Sequence, residues 1–409
     1  MSVPLALTLD PSGEVLSGDH IDIRISGAAP GSEVAVTGIR RFWDDKKELR
    51  SEAIFRADAE GVVDLSRDAP VTGSYAGVHP AGIFWSMTAA GAIDAETPVK
   101  DTVRIEAAAG STSATAEVKL MWGRTDLVRR DAPFPGAFLS ALPDARQRPA
   151  IICLLWGNEG ADWYPGKLAS RGYSVLALPY YSPPGVETPV LGLPTAFSQI
   201  PIDRLQAVHE WLRQQPEIDP DRMGLWGAAK GAEFALIAAT KFPWIKGVVA
   251  VSPTDVVWEG WGVPAADYES TSCFSWQGVS LPYTPRVDAG STFENHVRGR
   301  AAHPREAELA RIPVEQYRQP LLLVGGEANV LWPVADMARA IAKRRAEAGL
   351  PTVTLIYPDA GTNIEDDGYS SAEWSMRGGG TLQGQGVARR DAFVKALSFL
   401  ADTLGPVER

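Results

Sequence analysis

The run Met223-Gly224-Leu225-Trp226-Gly227-Ala228-Ala229-Lys230-Gly231-Ala232-Glu233 carries the strongest chemical signal in the chain. An apolar stretch ends, two glycines bracket a tight turn, and an alanine-rich helical segment begins. A strand–turn–helix with G-x-S-x-G spacing serves nucleophilic catalysis. Its glycines permit close backbone approach, and its strained central residue is presented at the sheet edge. Here that residue is Ala229, which has no lone pair to attack a carbonyl. Nucleophilic catalysis from this position is excluded, although the turn is intact. An oxyanion hole can survive the loss. Its donors would be the backbone N–H of Lys230 and one from the glycine-flanked turn Gly157-Asn158-Glu159-Gly160. Two such donors polarise a carbonyl or hold an enolate.

Those turns need a frame, and the hydrophobic pattern supplies one. Ala150–Leu155, Tyr173–Leu178, Met223–Trp226, Gly247–Val251 and Leu321–Val324 are apolar runs of the kind buried on both faces of a parallel sheet. Helical stretches alternate with them at Tyr164–Arg171, Pro201–Gln215, Ala232–Lys241, Val334–Ala348 and Ala388–Leu404. This alternation implies a doubly wound α/β domain over 149–409. The Trp-, Tyr- and Ser-rich segment from about 255 to 315, with Trp258, Trp261, Trp276 and Tyr283, interrupts the rhythm and is expected to cap the sheet's carboxyl edge. Residues 1–125 read differently. Short alternating runs such as Ile21–Ser26, Glu33–Val36, Glu52–Ala57 and Ala114–Leu120, separated by Gly, Pro and Asp, predict a β-sandwich. Residues 126–148, with Pro133, Pro135 and Pro143, read as a linker.

With 409 residues, two or three domains are expected. The 39 Lys and Arg against 50 Asp and Glu give a net charge of −11, which argues against nucleic acid or an anionic membrane as partner. No stretch reaches the ~18 apolar residues of a membrane span. Cys153 and Cys273 form no disulfide framework or metal-ligand spacing, so a reducing, cytoplasmic setting is expected and no cofactor or metal is called for. The amino-terminal ten residues lack the basic start and apolar run of a signal peptide.

The elbow run Gly227–Glu233 resembles the G-x-S-K-G-[AG]-E motif of the acyl-CoA thioesterase and bile acid-CoA:amino acid N-acyltransferase family. Arg171–Tyr181 is similar to that family's G-[YF]-x-x-L-A-L-x-Y-Y strand, and Ser51–Asp58 and Gly73–Met87 to its amino-terminal sandwich. The resemblance covers nearly the whole chain. It implies an α/β-hydrolase acting on acyl thioesters through Ser or Cys, Asp and His. In the run resembling G-x-D-D-x-L-W-P, this chain reads Gly326-Glu327-Ala328-Asn329-Val330-Leu331-Trp332-Pro333, with Asn329 at the acid position. In the run resembling Y-P-x-A-G-H-x-I-E it reads Tyr357-Pro358-Asp359-Ala360-Gly361-Thr362-Asn363-Ile364-Glu365, with Thr362 at the base position.

All three expected catalytic side chains are therefore replaced. Asn329 cannot stabilise an imidazolium, and Thr362 cannot shuttle a proton near neutral pH. Asp255 follows a sheet strand but has no histidine to orient, His303 lies in the cap segment, and packing accounts for His209. A site remains in which Lys230, Asn158, Gly157, Trp332 and Asn363 bind an acyl or carbonyl small molecule, and Glu159 or Glu327 serves as general base. Three function classes follow: non-hydrolytic carbonyl chemistry such as cyclisation, elimination or rearrangement; a thioesterase or acyltransferase whose serine was changed to alanine for study; and a non-catalytic binding protein.

Overall fold

The computed structural model describes residues 4–41, 46–93, 97–99, 101–144, 146–155, 164–263 and 269–408. It divides into two compact units, residues 1–122 with 366–394 and residues 123–365 with 395–409.

The first unit is the expected sandwich. Its strands are β1 (Ala6–Asp10), β2 (Gly13–Leu16), β3 (Asp22–Ser26), β4 (Glu33–Arg41), β5 (Lys47–Arg56), β6 (Val63–Asp64), β7 (Thr72–Gly73), β8 (Thr88–Ala92), β9 (Thr102–Ala109) and β10 (Thr112–Met121). One sheet is ordered β1-β3-β6, the other β2-β10-β9-β4-β5-β7 with β8 also on β5. Alternation drives the layering: in β3, Ile23 and Ile25 are buried while Asp22 and Arg24 face outward. They share a core with Val34, Val36, Phe55, Ile105 and Leu120. A short helix, α1 (Gly82–Trp85), adds Phe84 and Trp85.

The division predicted from sequence differs at two places. Residues 126–148 are not a linker, because β11 (Val128–Asp131) and β12 (Phe138–Ala141) pair antiparallel and join the second unit's sheet. The prolines that suggested a connection lie outside both strands, Pro133 and Pro135 in the turn between them and Pro143 just after β12. Residues 366–394 belong with the sandwich rather than with the hydrolase domain. Tyr369 and Ala372 are buried in the sandwich core, and the hydroxyl of Tyr369 accepts from the N–H of Ile21 at 3.2 Å. The fully buried Arg389 guanidinium donates to the Asp366 carboxylate and to the Ser371 carbonyl.

The second unit continues with β13 (Arg148–Leu155), α2 (Tyr164–Ala169), β14 (Ser174–Ala177), β15 (Ile200–Pro201), α3 (Arg204–Leu212), β16 (Ile218–Ala228), α4 (Lys230–Ala239) and β17 (Ile245–Val251). After these come β18 (Phe274–Trp276), β19 (Val279–Ser280), α5 (Thr292–Ala302), α6 (Pro304–Leu309), β20 (Leu321–Gly326), α7 (Val334–Glu347), β21 (Thr352–Tyr357) and α8 (Leu382–Leu404). The last is shared between the units. The main sheet runs β11-β12-β14-β13-β16-β17-β20-β21, parallel from β14 onward. The order reverses at β13, so the turns after β13 and β16 flank a topological switch point, where open α/β sheets bind ligands. The cap segment forms the small sheet β15-β18-β19 with α5 and α6. It enters the core through Val256, Trp258, Phe274 and Ile312 and is not a surface excursion. No helix among the described residues is long and apolar enough to cross a membrane.

Arg389→Met leaves the Asp366 carboxylate buried without its counter-charge. We expect a stability loss of about 3 kcal/mol or more, the cost of breaking a buried pair, read from urea denaturation.

Candidate functional site

The elbow has the backbone of a working nucleophile turn. Ala229 sits at φ 53°, ψ −116°, a conformation costly for any residue with a Cβ. The constraint comes from its neighbours. A Cβ on Gly231 would lie 1.5 Å from the Leu154 carbonyl oxygen, so α4 packs against β13 as only glycine permits. Ala229 donates its N–H to the Val251 carbonyl at 2.9 Å, and its own carbonyl accepts from Ala232 and Glu233 to start α4. The N–H groups of Lys230 and Gly231, which precede those bonds, stand at the helix's positive end.

The same strand-end segment holds the other two loops. Ser252, with φ 51°, donates its N–H to Val324 and its hydroxyl to the Thr362 carbonyl at 2.6 Å. Thr362 is buried. The loops after β20 and β21 are pressed together as well: Ala328 donates to the Ala360 carbonyl, and a Cβ on Gly326 would lie 2.1 Å from that oxygen. Asn329 is buried, and its Oδ1 accepts from the N–H groups of Leu331 (2.8 Å) and Trp332 (3.1 Å). Its oxygen therefore caps a turn, and its Nδ2 has no acceptor. Trp332 Nε1 donates to the Pro253 carbonyl at 3.4 Å. Ala229, Asn329 and Thr362 thus converge on the segment 251–253. Asn363 is buried beside Thr362 in the chain.

Other candidate residues lie elsewhere. Glu327 stands exposed, its carboxylate engaged by Arg339. Its lone pairs are held by a guanidinium at the surface instead of entering a dry site, which withdraws it as general base. Gly157, Asn158 and Glu159 lie outside the described residues. Asp359 is exposed. Asp255 is held bidentately by Arg300 of α5 at 3.0 and 2.7 Å. His209 stacks on Trp244, with 4.4 Å between centroids.

Three features escaped the sequence reading. Lys230 contributes its side chain as well as its N–H. The ammonium donates to Glu233 at 2.6 Å and lies 5.4 to 6.0 Å from the rings of Phe197, Trp261 and Phe274. Burial works against the charge, but the buried Glu233 carboxylate and the neighbouring Cys273 sulfur outweigh it and raise the Lys230 pKa. Glu233 is fully buried and also accepts from Thr254 Oγ1 (3.1 Å) and the Trp258 N–H (3.2 Å). Burial pushes the Cys273 thiol up to about 12, although Lys230 opposes it. The third feature is His296 of α5, buried against Trp258, whose ring centroid is 4.5 Å away. Burial first, and then the charges of Lys230 and Arg286, lower its pKa to about 4. The i, i+3 spacing of Lys230 and Glu233 was visible in sequence; a cap histidine was not distinguishable from a surface one. No group of His, Cys, Asp and Glu among the described residues could hold a metal ion.

A mostly parallel eight-stranded sheet, a strained turn after its central strand and a cap inserted beyond the next strand define an α/β-hydrolase-fold protein preceded by a β-sandwich. Residues 18–130 match the acyl-CoA thioester hydrolase/BAAT N-terminal region and residues 202–406 the BAAT/acyl-CoA thioester hydrolase C terminal, so the chain belongs to the acyl-CoA thioester hydrolase/BAAT family. It is similar to acyl-coenzyme A thioesterase 1 of Rattus norvegicus, 26% identical over 98% of this chain and 97% of that one. It is also similar to the peroxisomal succinyl-coenzyme A thioesterase of Mus musculus, at 23% over 98% and 97%. Among solved structures, an acylaminoacyl peptidase of Pyrococcus horikoshii is matched over 96% of this chain and 60% of that one, with 13% identity and a TM-score of 0.45.

Two outcomes test this geometry. Ala229→Gly should stabilise the fold by about 1 kcal/mol, the relief of strain exceeding the added chain entropy. His296 is uncharged in the fold while the unfolded chain takes up a proton near its ordinary value of 6.5. Stability is therefore complete above pH 6.5 and falls as pH drops from 6.5 toward 4, by up to about 3 kcal/mol. Urea melts across that range should show a flatter profile for His296→Phe.

Proposed function

We propose that the chain binds an acyl thioester with its carbonyl oxygen at the Lys230 N–H and carries out carbonyl-activated chemistry without a serine nucleophile, such as cyclisation, elimination or rearrangement. The observation that carries this reading is the retained strain at Ala229. The packing of α4 on β13 holds the turn at φ 53° without a nucleophile, and the turn still leaves the first N–H groups of α4 at the sheet's carboxyl edge, where a carbonyl oxygen can accept from them. Two further observations support it. Asn329 uses its oxygen to cap Leu331 and Trp332, and is not arranged to orient a base. The family's relatives carry thioesterase names, which makes an acyl-CoA the first substrate class to try. The buried cysteines, both free, fit a reducing compartment such as the cytoplasm.

The chain should hydrolyse acyl-CoA no faster than background and resist labelling by serine-directed phosphonates. It should nevertheless bind butyryl-CoA up to about tenfold more tightly than S-butyl-CoA, which lacks the carbonyl oxygen, because the hydrogen bond from the Lys230 N–H contributes roughly 0.5–1.5 kcal/mol. Calorimetric titration reads the ratio. A ratio near one would refute the carbonyl site, and stoichiometric phosphonate labelling would show that another nucleophile acts.

A further inference from the structure

The loops carrying Ala229 and Asn329 are bridged by one cap residue, His296. On one side, Glu233 of α4 accepts from the backbone of Trp258, whose ring meets the imidazole edge-on at 4.5 Å and 78°. On the other, Trp332 lies 6.2 Å from the imidazole, with its N–H held by Asn329 and its indole tied to Pro253. The histidine therefore stands between the elbow helix and the loop at the acid position.

Its hydrogen bonding defines its chemistry. Nδ1 lies 2.6 Å from the Thr292 carbonyl, which can only accept, so Nδ1 carries the hydrogen. Neutral imidazole then bears a lone pair on Nε2, and no described residue donates to it. The ring is only 7% exposed. A second observation points to a ligand here. Trp258, which meets the ring edge-on, has a buried donor without an acceptor at Nε1, and Asn329, which accepts from the backbone of Trp332, has another at Nδ2. Unsatisfied buried donors cost about 1–3 kcal/mol each, and a ligand rich in oxygen acceptors relieves that cost.

We infer that His296 is the proton acceptor of this site, its Nε2 removing hydrogen from the carbon beside a bound thioester carbonyl. The inference rests on the acyl-binding reading above. The C–H bond breaks, its electron pair forms the enolate, and negative charge collects on the oxygen at the Lys230 N–H. The proton passes to Nε2, and its return to the carbon restores thioester and imidazole, so no oxidant or co-reactant is needed. Burial first, and then Lys230 and Arg286, keep the resting imidazole neutral. Negative charge growing on the thioester offsets their field, so the histidine gains basicity as the enolate forms. The cap would thus supply the base that Thr362 does not.

The test is hydrogen exchange into butyryl-CoA in D₂O, followed by proton NMR with the full-length chain. The wild type should exchange the α-hydrogens, and His296→Phe and His296→Gln should slow exchange by about 10²-fold or more while binding butyryl-CoA and melting cooperatively. Unchanged exchange in a folded variant overturns the assignment, as does a wild type that binds butyryl-CoA without exchanging it. Failure of the wild type to bind overturns the acyl-binding reading and this assignment together. If neither variant folds, long-range ¹H–¹⁵N spectra of the wild type decide. The His296 Nε2 signal must be that of a bare nitrogen at pH 7.5 and must move on adding butyryl-CoA; a protonated or unresponsive nitrogen refutes the inference.

Discussion

The close approach of α4 to β13 at Gly231 constrains everything else in the hydrolase unit. With the helix backbone seated on the Leu154 carbonyl, the chain has no room to leave β16 gradually. It must turn within one residue, and that residue is driven to φ 53°. The turn places the positive end of α4 at the carboxyl edge of the sheet, beside the switch point where strand order reverses. The strain, of order 1–3 kcal/mol for such a conformation, comes from this packing and not from the side chain at position 229.

The buried Glu233 carboxylate transmits this geometry to the cap. It accepts from Lys230 within α4, from Thr254 after β17 and from the backbone of Trp258 in the cap. A fully buried carboxylate is tolerable only with its lone pairs satisfied, and here the donors come from three consecutive parts of one site. The aromatic rings around Lys230 shield the pair from water, with Phe197 and Trp261 stacked at 4.2 Å. Phe197 comes from the chain before β15, so the roof is built from two separate stretches of sequence.

Much of the fold was legible because periodicity reports burial directly. The alternation in Ile21–Ser26 and the apolar runs at Ala150–Leu155 and Gly247–Val251 became β3, β13 and β17. The misread parts are those where local sequence and tertiary role diverge. Prolines at 133, 135 and 143 suggested a linker, yet they fall in the turn between β11 and β12 and just after β12, leaving both short strands free to pair. Residues 366–394 follow the hydrolase pattern in the chain but pack on the sandwich through Tyr369, bonded to Ile21, and Arg390, bonded to Gly18, contacts 348 and 372 residues distant in sequence that no local pattern reports. At the site, the loops of Ala229, Asn329 and Thr362 could be read from motif spacing, whereas Glu327 could not be separated from a surface acid until Arg339 was seen beside it.

The electrostatic balance around the elbow bears on what reaction can occur there. Lys230 and Arg286 both lower the basicity of His296, and the lysine is held charged by Glu233. Such surroundings resist a further positive charge, and they hold two buried side-chain donors without acceptors, Asn329 Nδ2 and Trp258 Nε1. Fixed donors in a low-dielectric setting act without reorganising, which is how preorganised sites favour oxyanions over neutral carbonyls. A hydrolase needs that preference for a tetrahedral intermediate on its serine. Under the proposed acyl-binding reading, the same preference would serve a charge developed within the ligand itself, and an enolate is a species whose formation demands only a base and oxyanion donors.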